Sequence, residues 1–172
     1  MLTEELKMFL YPKLYLENIL QINYELLEKN NIKGLILDMD NTIIDYNKNI
    51  LEGAKKWCED LKEKNIKLII VSNSNKKEKL EKTSKELDIP YIMFAKKPFK
   101  KGLLKASKTL QLNPENIATV GDQIFTDVLG GNRCKMFSIL VKPIDEKDVF
   151  LTVIKRPLEN LVIKKYLKSI KE

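Results

Sequence analysis

Two aspartates stand two positions apart, directly after a short apolar run. The run is Leu35 to Leu37, and Asp38 and Asp40 follow it on either side of Met39. In an extended chain, residues two apart point to the same side, so these two carboxylates come close together. Their mutual repulsion calls for a cation between them or for a raised pKa. Taken alone, the pattern is also compatible with a strand that ends in an Asp/Asn turn.

Three further groups of polar residues follow other apolar runs. Ser72 and Asn73 end the second run, Lys97 stands in Ala-Lys-Lys-Pro just before a helical pattern, and Asp122 and Asp127 lie in Gly-Asp-x4-Asp. Each has an ordinary structural interpretation, as a turn residue, a solvated lysine or a helix cap. Each nevertheless stands at the carboxyl end of a different predicted strand, where open α/β sheets bind ligands. Their order along the chain therefore predicts one common site.

Composition restricts the chemistry of that site. The 172 residues include no histidine, which excludes Ser/His/Asp hydrolysis, Cys/His nucleophiles and His-ligated zinc. The two cysteines, Cys58 and Cys134, are far apart in sequence, so they form neither a zinc motif nor a Cys-x-x-Cys redox pair. Catalysis would have to use carboxylates, lysines or hydroxyls.

Short apolar runs alternate with amphipathic stretches, and this predicts an α/β fold with a doubly wound, mostly parallel sheet of five strands. The predicted strands are Gly34 to Met39, Lys67 to Ser72, Tyr91 to Ala95, Ile117 to Gly121 and Phe137 to Val141. The predicted helices are Gly53 to Lys64, Lys76 to Leu87, Phe99 to Leu110 and Phe125 to Leu129, the last ending at Gly130-Gly131.

We predict a single domain over residues 1–172, with a catalytic core at 34–142 and an extension at each end. Residues 1–33 are predicted as a helix or helix pair, and 143–172 as a basic C-terminal helix opened by Pro157. Each extension carries apolar residues expected on one face: Leu16, Ile19, Leu20, Leu26 and Leu27 in the first, and Leu158, Leu161, Val162 and Tyr166 in the second. We favour helices that cap the sheet over a dedicated membrane surface.

The four motifs together resemble the haloacid dehalogenase superfamily, over Leu35 to Asp127 and in the order typical of that family. The resemblance implies a Rossmann-like sheet with strand order 5-4-1-2-3, which places Asp38 opposite Asp122. From Thr42 to Ser72, and from Ser72 to Lys97, the chain has room for only one helix-sized segment each. We therefore expect a capless member whose site is open to large substrates.

The resemblance also implies roles for the residues. Asp38 would be the nucleophile that forms an aspartyl-phosphate, and Asp40 would be the general acid and base. Asp38, the Asp40 backbone carbonyl and Asp122 would bind Mg2+, a cation that prefers oxygen ligands. An aspartate at the position of Asp40 indicates phosphate ester hydrolysis. The expected activity is a Mg2+-dependent phosphomonoester hydrolase.

The remaining polar residues would act on the phosphate. Ser72, Asn73 and Lys97, together with Thr42, would hold its oxygens and stabilise the charge that develops on them. Asp127 resembles a supporting acid that orients the lysine or a metal-bound water. Either Lys96 or Lys97 could supply the phosphate lysine, and we prefer Lys97 because the family pattern places lysine directly before proline.

Further motifs are similar to the YqeG-type branch of subfamily IIIA. They include Asp-x-Asp-Asn-Thr, Ala-x-Lys-Pro, Gly-Asp-Gln-x-x-Thr-Asp-Val and Gly-Gly-Asn-Arg. Related proteins of that branch include mitochondrial and plastid phosphatidylglycerophosphate phosphatases, which suggests a lipid substrate. The alternatives are a soluble small-molecule or protein phosphatase and a catalytically idle binding protein of the same fold.

Charge placement is compatible with an anionic surface. The net charge is +7, and the segment from Lys96 to Lys108 has six lysines and no acid. These lysines would attract an anionic membrane or would simply form a solvated face. No signal peptide or membrane span is evident, so we expect a cytoplasmic protein, peripheral at most on the inner face of the membrane. Nothing in the sequence reads nucleic-acid bases, and the oligomeric state is left open.

Overall fold

The computed structural model describes residues 3–145 and 150–171. Met1, Leu2, residues 146–149 and Glu172, which we assigned to the terminal extensions, lie outside the described residues. The strands within these ranges are β1 (Leu14–Leu16), β2 (Gly34–Leu37), β3 (Lys67–Val71), β4 (Tyr91–Ile92), β5 (Ile117–Gly121) and β6 (Phe137–Val141). The α-helices are α1 (Glu4–Leu10), α2 (Tyr24–Lys29), α3 (Ala54–Glu63), α4 (Lys77–Leu87), α5 (Lys100–Leu110), α6 (Leu129–Arg133) and α7 (Phe150–Ser169). Two short 3-10 turns, Ile19–Gln21 and Pro114–Asn116, and a π-helix, Ile124–Val128, complete the elements.

The strands form one parallel sheet in the order β1-β6-β5-β2-β3-β4. The five predicted strands have the order expected from the family resemblance, and β1 adds a sixth strand beside β6. The predicted number of five strands is therefore wrong, because β1 was missed. In this edge strand, Leu14 pairs with Ile139 and Leu16 pairs with Val141. Three residues are too few to produce a periodic signal, and their partner strand lies far along the sequence.

The N-terminal extension is therefore not a helix pair throughout. Leu16 lies in β1, Ile19 and Leu20 lie in a 3-10 turn, and Leu26 and Leu27 lie in α2. The expected apolar contacts still occur in part, since Ile19 and Leu27 are fully buried.

The core has two layers, one on each face of the sheet. All four residues of β2 are buried, as expected for a central strand covered by helices on both sides. Leu35 and Leu37 share a hydrophobic cluster with Trp57 of α3 and Leu80 of α4. Ile36 points to the opposite face and joins the cluster of α5. This alternation fixes the register that brings Asp38 to the end of β2.

The carboxyl edge of the sheet is open. The strand order reverses at β2: the chain continues to β3 and β4 on one side of it and later to β5 and β6 on the other. Such a reversal leaves a crevice at the carboxyl ends of the strands. Among the described residues, only α3 and a short loop with bridges at Ile44 lie between β2 and β3, and only α4 lies between β3 and β4. The capless arrangement is confirmed.

The C-terminal helix differs from its prediction at its start. Pro157 lies inside α7 instead of opening it. Val162 and Tyr166 are buried, and the Tyr166 ring packs edge-on against Tyr11 with 5.5 Å between ring centroids. Leu158 and Leu161 are exposed, contrary to the expected shared face, because the buried stripe continues through Glu159 instead. None of the described helices combines the length and apolarity that crossing a membrane requires.

Gly130 and Gly131 also depart from prediction, because they lie within α6 and do not end a helix. At Gly131, a Cβ atom would collide with Thr119 Oγ1 of β5. The glycine thus allows α6 to lie directly against the sheet. At Gly130, the nearest neighbour of an added methyl group would be the flexible end of Leu103, at 2.9 Å.

We expect Gly131→Ala to lower the free energy of unfolding by about 1 to 3 kcal/mol, the usual cost of overpacking. Urea denaturation would measure it. Gly130→Ala is the matched control, because it gains the same helix propensity but meets a side chain that can move. Its free energy of unfolding should therefore decrease clearly less. Equal stability of the two variants would contradict the close contact with Thr119.

Candidate active site

The ends of three neighbouring strands bring the predicted site residues together. Asp38 directly follows β2, Ser72 follows β3, and Asp122 follows β5. All three side chains are buried at the carboxyl edge of the sheet. The backbone N–H of Asp38 still donates to Val120 O at 2.8 Å, which holds the two central strands together as far as the site.

Lys97 is the cationic centre of the site. Its Nζ donates to Asp38 Oδ1 and to Asp127 Oδ1, both at 2.7 Å, and its side chain is only 3% exposed. Burial alone would lower the pKa of Lys97, but the carboxylates of Asp127 and Asp38 outweigh burial and raise this pKa above its ordinary value. The lysine is therefore a permanent positive charge.

The backbone of Lys97 is held by Asn73. The Lys97 N–H donates to Asn73 Oδ1 at 2.7 Å, and Asn73 Nδ2 donates to Lys97 O at 3.0 Å. The Asn73 amide, which we expected to bind phosphate, thus contacts the lysine's main chain. Lys96 is exposed while Lys97 is buried, so Lys97 is the one of the two that lies in the site.

Asp127 lies in the π-helix and faces back toward the sheet. Its Oδ2 accepts from the Gln123 N–H at 3.3 Å and from Thr126 Oγ1 at 3.2 Å. A Cβ at Gly121 would collide with the Asp127 carboxyl group, so glycine is required where this acid approaches β5. Asp127 thus contacts Lys97, one of the two groups that we expected it to orient.

Asp40 has a partner that the sequence analysis missed. Lys79 of α4 forms an ion pair with Asp40 Oδ1. Asp40 is the more exposed of the two predicted catalytic acids, and it lies at the side of the cleft that α4 lines. Thr42, another predicted phosphate-binding residue, is buried and donates from Oγ1 to Asp122 Oδ1 at 3.4 Å.

Asp122 is held by the C-terminal helix. Arg156 of α7 donates to the Asp122 carboxylate, and its other terminal nitrogen donates to Asp122 O at 2.8 Å. The same guanidinium contacts Glu159 Oε2 at 3.3 Å, while Glu159 Oε1 accepts from the Phe125 N–H at 3.0 Å. Burial raises the pKa of Glu159, partly offset by these two donors.

The buried acids fit a divalent cation. Carboxylate oxygens of Asp38, Asp122 and Asp127 can lie within 4.8 Å of one another, and hard oxygen donors suit such an ion. This set contains the two predicted side-chain ligands, Asp38 and Asp122, and adds Asp127, which we expected only to support the site. Burial, with the nearby charges of Asp127 and Asp122, raises the pKa of Asp38 despite Lys97. An added cation would offset this accumulation of negative charge.

Asp38, Asp40, Ser72, Asn73 and Lys97 line a cleft of about 490 Å³ that opens to solvent. The buried side chains of Asp38, Ser72 and Lys97 form its polar floor, and Asp40 lies at its side. Further lining residues were not predicted: Lys76, Lys79, Phe94, Gln123, Thr126 and Lys155.

Two of the missed residues had some signal in the sequence. Arg156 is one of only two arginines among 31 basic residues, and arginine suits buried ion pairs better than lysine does. Glu159 is an acid three positions later on the same helix. Lys79 had no such signal, because it is one of many lysines on an amphipathic helix.

Comparison with solved structures shows the fold. An uncharacterized protein from Listeria monocytogenes serotype 4b matches with a TM-score of 0.54 at 18% identity, over 78% of this chain and 99% of that one. The cobalt-bound deoxy-D-mannose-octulosonate 8-phosphate phosphatase of Haemophilus influenzae matches with a TM-score of 0.52 at 16% identity, over 81% and 92% of the two chains.

Sequence comparison is more specific. The probable phosphatase YqeG of Bacillus subtilis (strain 168) is 38% identical over 159 residues, which are 92% of each chain. Fold, site and relatives together define a phosphatase of the haloacid dehalogenase superfamily, a phosphoric monoester hydrolase of the YqeG type. Within this class, the chain belongs to the family described as mitochondrial PGP phosphatase, which matches residues 3–144.

Replacing Arg156 tests its hold on Asp122. We expect Arg156→Gln to lower the free energy of unfolding by about 2 kcal/mol, because two buried acids lose their cation. Added Mg2+ should restore more stability to this variant than to the wild type, since ion and guanidinium would share the Asp122 carboxylate. Thermal and urea unfolding with and without Mg2+ measure both effects.

The chain's other arginine provides the control. Within the described part of the chain, the Arg133 side chain donates one long hydrogen bond, 3.4 Å, to Pro98 O, so Arg133→Gln should change the Mg2+ response little. An Arg156→Gln variant with wild-type stability and a wild-type response to Mg2+ would contradict the importance of the Asp122 contact.

Proposed function

We propose that this chain is a Mg2+-dependent phosphomonoester hydrolase that acts through an aspartyl-phosphate on Asp38, with phosphatidylglycerophosphate as its substrate. The observation that carries the mechanism is the placement of Asp38 on the floor of an open cleft, fixed by Lys97 and next to Asp40. We also propose that the protein acts in the cytoplasm at the inner face of the membrane, where this lipid would be reached.

Asp38 would be the nucleophile. Among its described contacts, Oδ1 accepts from Lys97, so Oδ2 is the oxygen left to attack phosphorus. The Oδ2–P bond forms, the bond from phosphorus to the ester oxygen breaks, and Asp40 donates a proton to the leaving alkoxide. Water then attacks the aspartyl-phosphate, with Asp40 taking its proton, and phosphate and the Asp38 carboxylate are released. Splitting the transfer into two steps lowers each barrier.

Lys79 would control when Asp40 is available. In the free protein it is ion-paired with Asp40. A phosphate dianion that enters the cleft offers Lys79 a more highly charged partner on the same side. Transfer of Lys79 from Asp40 to the phosphate would release the Asp40 carboxyl for proton transfer and add a cation to the phosphate oxygens.

The rest of the site would stabilise the transferred group. Lys97 and Ser72 lie on the cleft floor beside Asp38, where they can contact the phosphate oxygens. Mg2+, which Asp38, Asp122 and Asp127 would hold with the Asp40 carbonyl as a further donor, would neutralise charge between the acids and the phosphate. Asn73 would act through Lys97 by fixing its backbone.

The lipid substrate is supported by the family to which the chain belongs and by the open cleft. Among the described residues, the cleft has no covering domain. A substrate embedded in a membrane can therefore present its phosphate directly. Lys76 and Lys155 at the rim add positive charge to the entrance.

Asp38→Asn should abolish turnover, with a loss of at least about 1,000-fold as for other nucleophiles. Asp40→Asn should lower turnover about 100-fold or more. It should also accumulate phosphoenzyme, because the second step then lacks a base. Phosphate release from phosphatidylglycerophosphate in mixed micelles with Mg2+ measures turnover. A phosphate label on the substrate identifies the intermediate. The label should be transferred to the protein, be released by hydroxylamine and be absent from Asp38→Asn. Substantial activity of Asp38→Asn would contradict the mechanism.

The same assay separates the possible substrates. We expect fast Asp38-dependent release from the lipid and slow release from p-nitrophenyl phosphate. If the protein hydrolyses aryl phosphate or phosphopeptides but not the lipid, the proposed mechanism stands and the proposed lipid substrate is wrong. Absence of turnover with every phosphomonoester would indicate a binding protein.

Lys79→Met should lower kcat on both lipid and aryl phosphate by about 10-fold to 100-fold, since Lys79 would stabilise charge in the transition state. Lys82→Met is the control, because Lys82 is exposed one turn further along α4 and does not line the cleft. Equal kcat values for the two variants would contradict the proposed role of Lys79.

A further inference from the structure

The loop between β4 and α5 exposes two large aromatic side chains near the cleft. Phe94 is 56% exposed and Phe99 is 63% exposed. Single exposed apolar residues are common, but these two border one groove of about 320 Å³. The groove is thus an apolar surface feature in a segment that otherwise carries many charges.

The groove is surrounded by lysines. Lys96, Lys101 and Lys105 line it together with the two phenylalanines, and none of its described lining residues is acidic. Lys101 and Lys105 are one helical turn apart on α5 and therefore share a face. Aromatic side chains flanked by lysines, without acids, fit an anionic lipid surface: the rings enter the headgroup and acyl boundary while the ammonium groups meet phosphates.

The groove adjoins the candidate active site. Phe94 lines both the groove and the cleft, and three residues later Lys97 reaches the cleft floor. The loop holds Phe94 at φ 52° and Lys96 at φ 53°, a left-handed conformation that non-glycine residues rarely adopt. This backbone turns Lys97 inward while Phe94 and Lys96 are exposed. Such strain persists where the surrounding structure imposes it, often next to functional sites.

We propose that this surface, formed by Phe94, Lys96, Phe99, Lys101 and Lys105, docks the protein on an anionic phospholipid bilayer with the cleft mouth toward the lipid. The inference deepens the proposed function and rests on it for its biological purpose. Docking itself is measurable without turnover. An acidic protein or a nucleic acid would be attracted by the same lysines, but neither requires two exposed phenylalanines.

Vesicle flotation tests the proposal. We expect wild-type protein to bind vesicles of equal parts phosphatidylglycerol and phosphatidylcholine and not vesicles of phosphatidylcholine alone. Phe99→Ser should weaken binding at least tenfold, because it removes the most exposed ring. Lys101→Ser with Lys105→Ser should weaken it about fivefold per lysine removed. Neither variant changes a cleft residue, so turnover of p-nitrophenyl phosphate should remain at the wild-type level.

Matched controls carry the same changes elsewhere. Met8→Ser removes a 64% exposed apolar side chain from α1, and Lys55→Ser with Lys85→Ser removes two exposed lysines from the opposite face of the sheet. These controls should bind vesicles like the wild type. Wild-type protein that fails to bind anionic vesicles would overturn the proposal, as would groove variants that bind like the controls.

The outcome is separable from that of the proposed function. Lipid hydrolysis in detergent micelles without vesicle binding would leave the enzyme assignment intact and reject the docking surface. Groove-dependent vesicle binding without lipid hydrolysis would support the surface and reject the substrate. Groove-dependent binding to RNA or to an acidic peptide, with none to vesicles, would assign the surface to a different partner.

Discussion

The buried ammonium of Lys97 is the interaction on which the site depends. It joins Asp38 at the end of β2 to Asp127 in the π-helix, and it comes from a third segment, the loop before α5. A charge buried to this extent is tolerated only with partners, and removal of Lys97 would leave two buried acids without their cation. The three segments are therefore held to one geometry by the cost of separating them.

Several unusual local features serve that geometry. Gly121 allows the Asp127 carboxyl to lie against β5, and Asn73 fixes both backbone polar groups of Lys97. On the other side of the loop, a Cβ at Gly102 would lie 2.5 Å from Ala95 O, so glycine lets α5 pack directly beneath the lysine's loop. These positions have no catalytic chemistry of their own, but each limits where Lys97 can go.

The charge balance of the site is compatible with a bound divalent cation. Among the residues that the structure describes, its ion-paired side chains comprise five acids and three bases, Lys79, Lys97 and Arg156. At formal charges this leaves two negative charges in excess, the charge that one divalent ion would neutralise. Arg156 compensates Asp122 through a helix that also packs against Tyr11 just after α1. The ion and the helix would therefore act on the same carboxylate.

The strands and the site residues that follow them could be predicted, because each depends on a local pattern in the sequence. Asp38, Ser72, Lys97 and Asp122 each follow an apolar run, and the order of these runs indicated that they meet at one edge of a sheet. Contacts made by residues without a local signal could not be predicted in this way. Lys79 is one lysine among 29, and β1 has only three residues. Helix α7 is held near the site by contacts distant in sequence, including the packing of Val162 and Tyr166 on the N-terminal helix region.

The loop from Met93 to Phe99 shows how one constraint can serve two surfaces. To bury Lys97 under the cleft, the chain must reverse direction within a few residues after β4, and left-handed residues on either side of Ala95 achieve this. Ala95 itself is buried and donates to Ser72 O at 3.0 Å, so the loop is anchored at its centre. With the centre anchored and Lys97 inside, Phe94 and Lys96 have only the solvent side available. The exposed aromatic and basic groups are thus a direct geometric consequence of burying Lys97. This is why the proposed docking surface lies beside the lysine that would meet the phosphate.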